Sequence, residues 1–264
     1  MTNIAFIGAG NIAKALMGGY LATGPAGEVW AADPIETQLA TLPNGVQTTT
    51  NNLEAIAAAD IVVLCVKPNM LGEICQSIQA IASGKLFISV AAGITCQSLL
   101  QWLGPNTAII RCMPNTPALV GAGMTGLFAT AGVSDTQKSQ GAEILRTVGN
   151  ILWFDVESEL DAVTAVSGSG PAYFFLMLES MQAAAVKLGL TPDVAKTLVE
   201  QTAFGAVKMA MQSEAPVAEL RHNVTSPGGT TAAAISVLEA NGFEETIFAA
   251  LKAAADRSKA LSDG

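Results

Sequence analysis

Two short stretches of the chain combine residue types and spacing that could hold an anion. The first is TSPGGTT at residues 225–231, a hydroxyl-rich turn with adjacent glycines that leads into a helical pattern at residues 232–238. Serine or threonine before proline is a helix-start signal, and the free N–H groups of a helix N-terminus attract a carboxylate or phosphate. The same pattern also fits an ordinary helix cap without a ligand, so the turn alone leaves both interpretations open.

The second stretch is a glycine-rich loop near the N-terminus. An apolar strand pattern at residues 3–8 runs into GAGNIA at residues 8–13, a G-x-G-x-x-A sequence that opens a helical pattern. In such a loop Gly8 makes the tight turn, Gly10 lets a pyrophosphate approach the backbone, and Ala13 keeps the helix close to the sheet. The strand–loop–helix context predicts that the chain binds a dinucleotide.

Further polar residues fall at the ends of predicted strands, where open α/β sheets bind their ligands. Asp33 closes the second strand pattern, and an acid there accepts the ribose 2′-OH of NAD and repels a 2′-phosphate, unless Pro34 turns its side chain away. Asn52 is one of four consecutive polar residues that could instead hold such a phosphate. Lys67 follows the next apolar run and is placed to meet cofactor ribose or phosphate, although a solvated lysine is the alternative.

A change of periodicity divides the chain into two predicted domains. Strand and helix patterns alternate up to residue 158, which predicts an α/β domain with a doubly wound, mostly parallel sheet at residues 1–158. Alanine-rich helical spacing takes over afterwards and predicts an all-α domain at residues 159–264. Its helices carry more apolar surface than one small domain needs, which predicts a homodimer or a higher homo-oligomer.

Composition and charge restrict the partners. Half of the 264 residues are hydrophobic, 13% are charged, and the net charge is −9, which argues against a nucleic-acid surface because such a surface would need a basic stripe. No apolar run reaches the length of a membrane span. Four cysteines without a CxxC pair and one histidine, His222, argue against a metal site. The N-terminal strand pattern is unlike a signal peptide and predicts a cytoplasmic location.

The order and spacing of six motifs closely resemble the pyrroline-5-carboxylate reductase family. The motifs are GAGNIA (8–13), VKP (66–68), AAG (91–93), RCMPNTP (111–117), SGSGPAY (167–173) and TSPGGTT (225–231). The last three are much more specific than the glycine loop. The resemblance implies a Rossmann domain followed by a helical dimerisation domain. It also implies NAD(P)H-dependent reduction of 1-pyrroline-5-carboxylate to L-proline, the final step of proline biosynthesis.

Site residues follow from the resemblance position by position. Those implied at the pyrophosphate and neighbouring ribose are Gly8, Gly10, Asn11, Ile12 and Ala13, with Asn52 at the adenosine ribose or its 2′-phosphate. Those implied at the nicotinamide end are Val66, Lys67, Pro68, Ala92, Met113 and Pro114. Those implied at the substrate are Ser226, Gly229, Thr230 and Thr231, with Glu214 on the helix before the turn. The family usually favours NADPH, but Asp33 leaves NADH possible.

The chemistry that the resemblance implies needs little acid catalysis. A protonated cyclic imine is already a good hydride acceptor, so positioning should carry most of the rate. We expect the backbone N–H groups of residues 229–231 to hold the substrate carboxylate. We expect the Thr231 hydroxyl, as the catalytic group, to hydrogen-bond the ring nitrogen.

Two other functions fit part of the pattern. A 3-hydroxyacid dehydrogenase shares the glycine loop and a helical second domain, but it usually places a lysine on the first long helix, and none occurs there before Lys187. A dinucleotide-sensing or pyridoxal-phosphate-handling protein is the second alternative, but a sensor would not need the TSPGGTT turn. The motif set therefore favours imine reduction.

Overall fold

The chain contains one unit built on a β-sheet and one built from helices. The computed structural model describes residues 1–262. The first unit comprises residues 1–169 together with residues 253–262, and the second comprises residues 170–252.

An eight-stranded sheet organises the first unit. The strands are β1 (Ile4–Ile7), β2 (Val29–Ala32), β3 (Val46–Thr49), β4 (Ile61–Leu64), β5 (Leu86–Ser89), β6 (Ala108–Met113), β7 (Gly123–Ala129) and β8 (Gly149–Trp153). Their spatial order is β3-β2-β1-β4-β5-β6-β7-β8, and every neighbouring pair is parallel except β6 with β7. The strand order reverses between β1 and β4, which confirms the predicted doubly wound, mostly parallel sheet.

Helices connect and flank the strands of the first unit. They are α1 (Asn11–Ala22), α2 (Glu36–Leu39), α3 (Asn52–Ala57), α4 (Pro68–Ile78), α5 (Cys96–Leu103), α6 (Asp135–Arg146) and α7 (Glu159–Val163). Single 3-10 turns lie at Gln79–Ile81 and Thr116–Val120, and one turn of π-helix, Thr164–Gly168, follows α7.

The central strands are buried on both faces, as their nearly unbroken apolar sequences predict. All four residues of β1, β4 and β5 are buried. Alternate side chains feed two apolar clusters, one containing Phe6 and Ile88 and the other containing Leu64 and Phe87. Two cores therefore hold the sheet rigid, and its strand ends can serve as fixed supports for a site.

Helices alone form the second unit and the C-terminal part of the described chain. They are α8 (Gly170–Lys187), α9 (Pro192–Gln212), α10 (Val217–Asn223), α11 (Thr230–Ala240) and α12 (Phe243–Ser262). These helices agree with the all-α pattern that the sequence predicted here, although that pattern gave no separate signal for the short α10. In the described part of the chain, no helix has both the length and the apolar character that crossing a membrane requires.

The structural division differs from the one predicted at residue 158. Helix α7 and the π-helical turn belong to the first unit, where Leu160 is buried. The C-terminal half of α12 also belongs there, and the Ser258 hydroxyl donates a hydrogen bond to Asp161 Oδ1 at 2.7 Å. Helical periodicity shows that a segment is a helix, but it does not show which core the helix packs against.

Candidate functional site

The carboxyl ends of β1 to β6 bring the predicted cofactor residues to one edge of the sheet. The spatial order of the strands differs from their order in the chain, so these residues are also arranged along the edge in a different order from that in the chain. From the β3 side to the β6 side they are Asn52, Asp33, Gly8, Gly10, Asn11, Ile12, Ala13, Val66, Lys67, Pro68, Ala92, Met113 and Pro114. The adenosine, pyrophosphate and nicotinamide positions that the sequence predicted thus follow in the order of a dinucleotide, across the point where strand order reverses.

The glycine loop has the geometry that a dinucleotide requires. Gly8 has φ +97°, and a Cβ atom there would lie 2.8 Å from the carbonyl oxygen of Cys65. Gly10 is exposed, and within the described chain a Cβ atom there would meet nothing within 4 Å. Gly10 also precedes α1, whose N-terminus has no side-chain cap among these residues. The first N–H groups of α1 therefore face open space, and the loop fits a pyrophosphate.

The Asp33 carboxylate is directed toward the glycine loop. Its Oδ2 accepts a hydrogen bond from Ala9 N–H at 2.9 Å, and its Oδ1 accepts one from Ile35 N–H at 2.9 Å. Asp33 therefore ties β2 to the loop after β1, a structural role that the sequence did not indicate. A carboxylate oxygen can accept a second hydrogen bond, so the contact with a ribose hydroxyl stays a prediction.

The four polar residues at the end of β3 and directly after it have different surroundings. Thr49 Oγ1 donates to Glu54 Oε2 at 2.5 Å, and Asn51 Oδ1 caps α3 by accepting from Leu53 N–H at 3.0 Å. Asn52 begins α3 and is half-buried, and its side chain makes no hydrogen bond within the described part of the chain. Asn52 is thus available for the predicted contact with the adenosine ribose or its phosphate.

The predicted nicotinamide end lies after β4, β5 and β6. Lys67 is exposed at the start of α4, and its ammonium group makes no ion pair or hydrogen bond with the residues described. Ala92 and Met113 are half-buried, and Pro114 is buried. Among the residues described, apolar groups line this end of the edge and the unpaired Lys67 ammonium group lies beside it, which suits a flat ring and its neighbouring ribose.

An ion pair beside this region, between the buried Arg111 and the half-buried Glu157, was missed by the sequence analysis. Arg111 in β6 is 6% exposed, and its Nη1 lies 2.7 Å from Glu157 Oε1. The same carboxylate oxygen accepts a hydrogen bond from Cys96 N–H at 2.7 Å, at the start of α5. Arg111 stands in the RCMPNTP motif, but no local signal identified its partner 46 residues later.

The four cysteines are unpaired, and the protein holds them as neutral thiols. Burial raises the pKa of Cys65, Cys75 and Cys96 to about 12, and it raises the pKa of Cys112 as well. Thiols of this kind are poor nucleophiles. Within the described residues, no group of three or more histidine, cysteine, aspartate or glutamate side chains is placed to hold a metal ion.

The hydroxyl-rich turn of the second unit leads into α11 as predicted. Gly229 precedes the helix in an extended conformation, and among the described residues no side chain caps the helix N-terminus. A Cβ atom at Gly229 would lie 2.5 Å from Ser226 Oγ, so the missing side chain makes room for that hydroxyl. Ser226 and Thr230 are exposed, whereas Thr231 is half-buried. This uncapped, hydroxyl-lined helix start is suited to a carboxylate.

Two expectations for the second unit need correction. Gly229 N–H donates to the carbonyl oxygen of Ser226 at 3.0 Å, so the turn itself uses this group, and the open N–H groups begin at Thr230. Glu214 is not on a helix, because α9 ends at Gln212 and Glu214 lies exposed in the loop before α10. In that loop the Ser213 hydroxyl accepts Ala215 N–H at 3.0 Å, which favours a turn over another helical residue.

Comparisons with known proteins cover both units. A family model described as "Pyrroline-5-carboxylate reductase dimerisation" matches residues 157–261, and one described as "NADP oxidoreductase coenzyme F420-dependent" matches residues 3–93. The chain is 50% identical to the pyrroline-5-carboxylate reductase of Pseudomonas aeruginosa, over 98% of this chain and 97% of that protein. It is 36% identical to the enzyme of the same name from Escherichia coli K12, over 98% of each chain.

Solved structures give the same result. A pyrroline-5-carboxylate reductase from Coxiella burnetii superposes with a TM-score of 0.94 at 43% identity, covering 99% of this chain and 98% of that one. The pyrroline carboxylate reductase of Plasmodium falciparum, solved with NADP bound, superposes with a TM-score of 0.88 at 34% identity and the same coverage.

Proposed function

The chain belongs to the pyrroline-5-carboxylate reductase family, and from that membership we propose how its residues reduce 1-pyrroline-5-carboxylate to L-proline. The protein is an NAD(P)H-dependent oxidoreductase of proline biosynthesis. The observation that carries this function is similarity over nearly the whole chain, including both the glycine loop and the hydroxyl-rich turn. It favours imine reduction over a 3-hydroxyacid dehydrogenase or a binding protein.

The first unit holds the cofactor in this proposal. NAD(P)H, when bound, supplies the hydride that reduces the imine carbon. The N–H groups of Asn11 and Ile12 at the start of α1 hold the pyrophosphate, because they face open space beside Gly10. Asn52 holds the adenosine ribose or its 2′-phosphate. The residues at the β4, β5 and β6 ends support the nicotinamide and exclude water from one of its faces.

The substrate carboxylate binds at the start of α11. Its donors are the N–H groups of Thr230 and Thr231 and the hydroxyl groups of Ser226 and Thr230. The helix dipole adds favourable charge there, which matters because the net charge of −9 repels an anion. Gly229 contributes by leaving space for Ser226, rather than through its own N–H group. Glu214 is kept as a substrate residue on the family resemblance alone.

The Thr231 hydroxyl is the proposed catalytic group. It hydrogen-bonds the ring nitrogen, orients the ring toward the hydride donor and helps to stabilise or relay the proton on nitrogen. A stronger acid is unnecessary, because protonation of the imine already makes its carbon electrophilic. Holding the ring in a reactive orientation then supplies most of the rate.

Replacing Thr231 tests this assignment. Thr231→Ala should lower kcat roughly 5- to 150-fold, the loss expected for one buried hydrogen bond of about 1–3 kcal/mol. The dissociation constant of NADPH, measured by fluorescence titration, should stay within about twofold of wild type. Thr231→Ser keeps the hydroxyl and should recover most of the turnover. An unchanged kcat in Thr231→Ala would remove Thr231 from the mechanism.

Self-association follows from the dimerisation region at residues 157–261, and a homodimer is the smallest assembly that fits it. Sedimentation at low protein concentration tests whether a dissociated chain retains activity, and an active monomer would contradict the dimer. NADPH preference over NADH, a cytoplasmic location and the absence of nucleic-acid binding stay predictions. Steady-state assays with both cofactors, cell fractionation and a DNA-binding assay test them.

A further inference from the structure

The first two residues of the SGSGPAY motif, Ser167 and Gly168, lie in an unusual backbone feature that the proposed mechanism does not use. Residues 164–168 make one turn of π-helix between α7 and α8, with Ser169 N–H donating to the Thr164 carbonyl oxygen at 2.8 Å. The hydroxyl groups of Thr164 and Ser167 donate to carbonyl oxygens one turn earlier, at 2.7 and 3.0 Å. Single π-helical turns are rare and frequently occur at functional sites.

Asn115 connects this π-helical turn to the loop that follows β6. Its Nδ2 donates to the Ser167 carbonyl oxygen at 3.0 Å, and its Oδ1 accepts from Met124 N–H at 2.9 Å. The two partners fix the orientation of the amide, because a carbonyl oxygen requires a donor and an N–H group requires an acceptor. One side chain thus joins the β6 loop, the start of β7 and the π-helical turn.

Gly168, the last residue of the π-helical turn, faces Met113. A Cβ atom at Gly168 would lie 2.6 Å from Met113 Cε and 3.5 Å from Met113 Cγ. Real Cβ atoms do not approach other heavy atoms that closely, so any side chain at Gly168 would displace the end of Met113. The half-buried Met113 therefore owes its position to a missing side chain 55 residues later in the sequence.

We propose that Asn115 and Gly168 are positioning residues for hydride transfer, which together fix Met113 and Pro114 at the nicotinamide end of the cofactor. This inference rests on the proposed function, because the position of the nicotinamide comes from there. Asn115 sets the backbone of the β6 loop through its two hydrogen bonds. Gly168 sets the Met113 side chain by leaving the space that its methyl group occupies. A displacement of about 1 Å at a reacting centre can cost about 100-fold in rate, so this packing bears on turnover.

Gly168→Ala is the first test. The added methyl group should displace Met113, lower kcat about tenfold or more and raise the primary isotope effect with C4-deuterated NADPH, because hydride transfer becomes slower. Without substrate, the dissociation constant of NADPH should rise several-fold in a fluorescence titration. Gly132→Ala is the matched control, since a Cβ atom there would lie at an ordinary 3.8 Å from the Thr107 carbonyl oxygen.

Repeating Gly168→Ala in a Met113→Leu variant shows which contact causes the weaker NADPH binding. Met113→Leu removes the Cε atom and keeps a similar volume. If the clash with Cε causes the loss, Gly168→Ala should weaken NADPH binding much less in the Met113→Leu background than in the wild-type background. An equal penalty in both backgrounds would overturn the assignment of Gly168 to Met113.

Asn115→Asp tests the other positioning residue. Aspartate still accepts Met124 N–H, but it has no donor for the Ser167 carbonyl oxygen. We expect lower kcat and weaker NADPH binding, with a melting temperature within a few degrees of wild type. Wild-type values for both variants would overturn the proposal. Loss of folding in both would also overturn it, because the two residues would then be needed for the fold alone.

The wild-type protein separates failure of this inference from failure of the proposed function. If the wild type does not reduce pyrroline-5-carboxylate with either cofactor, the proposed function is wrong. The NADPH titrations of the variants still decide whether Asn115 and Gly168 shape the cofactor site. If the wild type is active and neither variant changes NADPH binding or the isotope effect, only this inference is wrong.

Discussion

The sheet unit and the helical unit differ in where their large apolar side chains lie. In the sheet unit, whole strands are buried and residues such as Phe6 and Phe87 have no exposed surface. In residues 170–252, Gly170, Ala195 and Val199 are the buried residues. Phe175 of α8 and Phe204 of α9 are 65% and 61% exposed on the single chain.

This contrast shows that the two units meet different requirements for stability. The sheet unit buries its apolar residues in cores of its own, so its strand ends can hold a cofactor in fixed geometry. The helical unit leaves large aromatic and aliphatic groups uncovered, and such surfaces mark an interface. The family model that covers residues 157–261 describes a dimerisation region, so we expect a second copy to cover this surface.

The largest expected effect comes from truncating the core of the sheet unit. Phe87→Ala removes a fully buried ring and should lower the free energy of unfolding by about 3–5 kcal/mol at every protein concentration. Phe204→Ala is the matched change in the helical unit, and its effect should shrink as dilution separates the subunits. Chemical denaturation at several protein concentrations measures both. If the effect of Phe204→Ala did not depend on protein concentration, the helical unit would not owe its stability to association, and the contrast between the two units would be wrong.

A charge on the uncovered helical surface should have a slightly smaller effect than the loss of Phe87. It should change the free energy of subunit association and not the stability of the single chain. Phe175→Asp would bury an unpaired carboxylate in the dimer, which should weaken association by about 3 kcal/mol or more, roughly 100-fold. Val120→Asp is the control, because Val120 is 80% exposed on the sheet unit. Sedimentation velocity should show dissociation for Phe175→Asp alone. Dissociation of both variants, or of neither, would place the interface elsewhere.

Replacing Asp33 tests how the sheet unit contributes to the choice between NADPH and NADH. Asp33→Asn removes one of two acceptors for backbone N–H groups, so KM should rise about tenfold for both cofactors, which corresponds to about 1.4 kcal/mol. The ratio of kcat/KM for NADPH to that for NADH should change by less than about threefold. Asp60→Asn is the control, since Asp60 Oδ2 accepts Asn3 N–H at the opposite edge of the sheet. A selective gain with NADPH would instead show that Asp33 reads the 2′-position.

A final effect, confined to alkaline solution, is a loss of stability that belongs to the sheet unit. The folded-state pKa of Cys75 and of Cys96 is about 12, above the unfolded value near 9. The stabilisation is therefore complete below pH 9 and is lost as pH rises from 9 toward 12, by about 1.4 kcal/mol per pH unit for each thiol at most. Denaturation under reducing conditions should show a shallower loss in Cys75→Ala than in wild type. Equal slopes would contradict the burial of Cys75.

Local patterns were sufficient to predict most of the elements of this fold. The apolar run predicted at residues 3–8 contains β1, and the glycine loop and TSPGGTT turn were located correctly at helix starts. Short α10 was missed because seven residues hold too little periodicity to separate a helix from a loop. The resemblance placed Glu214 on the helix before the turn, but α9 ends at Gln212 and Glu214 lies in the loop before α10.

What the sequence by itself determined is the set of elements, the glycine loop, the family motifs and the predicted roles of their residues. These depend on periodicity and on spacing over a few residues, which the chain carries without its partners. Only the tertiary structure decided that Asp33 binds Ala9 N–H, that Glu157 pairs with Arg111, and that Gly168 makes room for Met113. Each of these contacts joins residues at least 24 positions apart. Their geometry exists only after the strands have aligned and the cores have closed, so no local pattern could encode it.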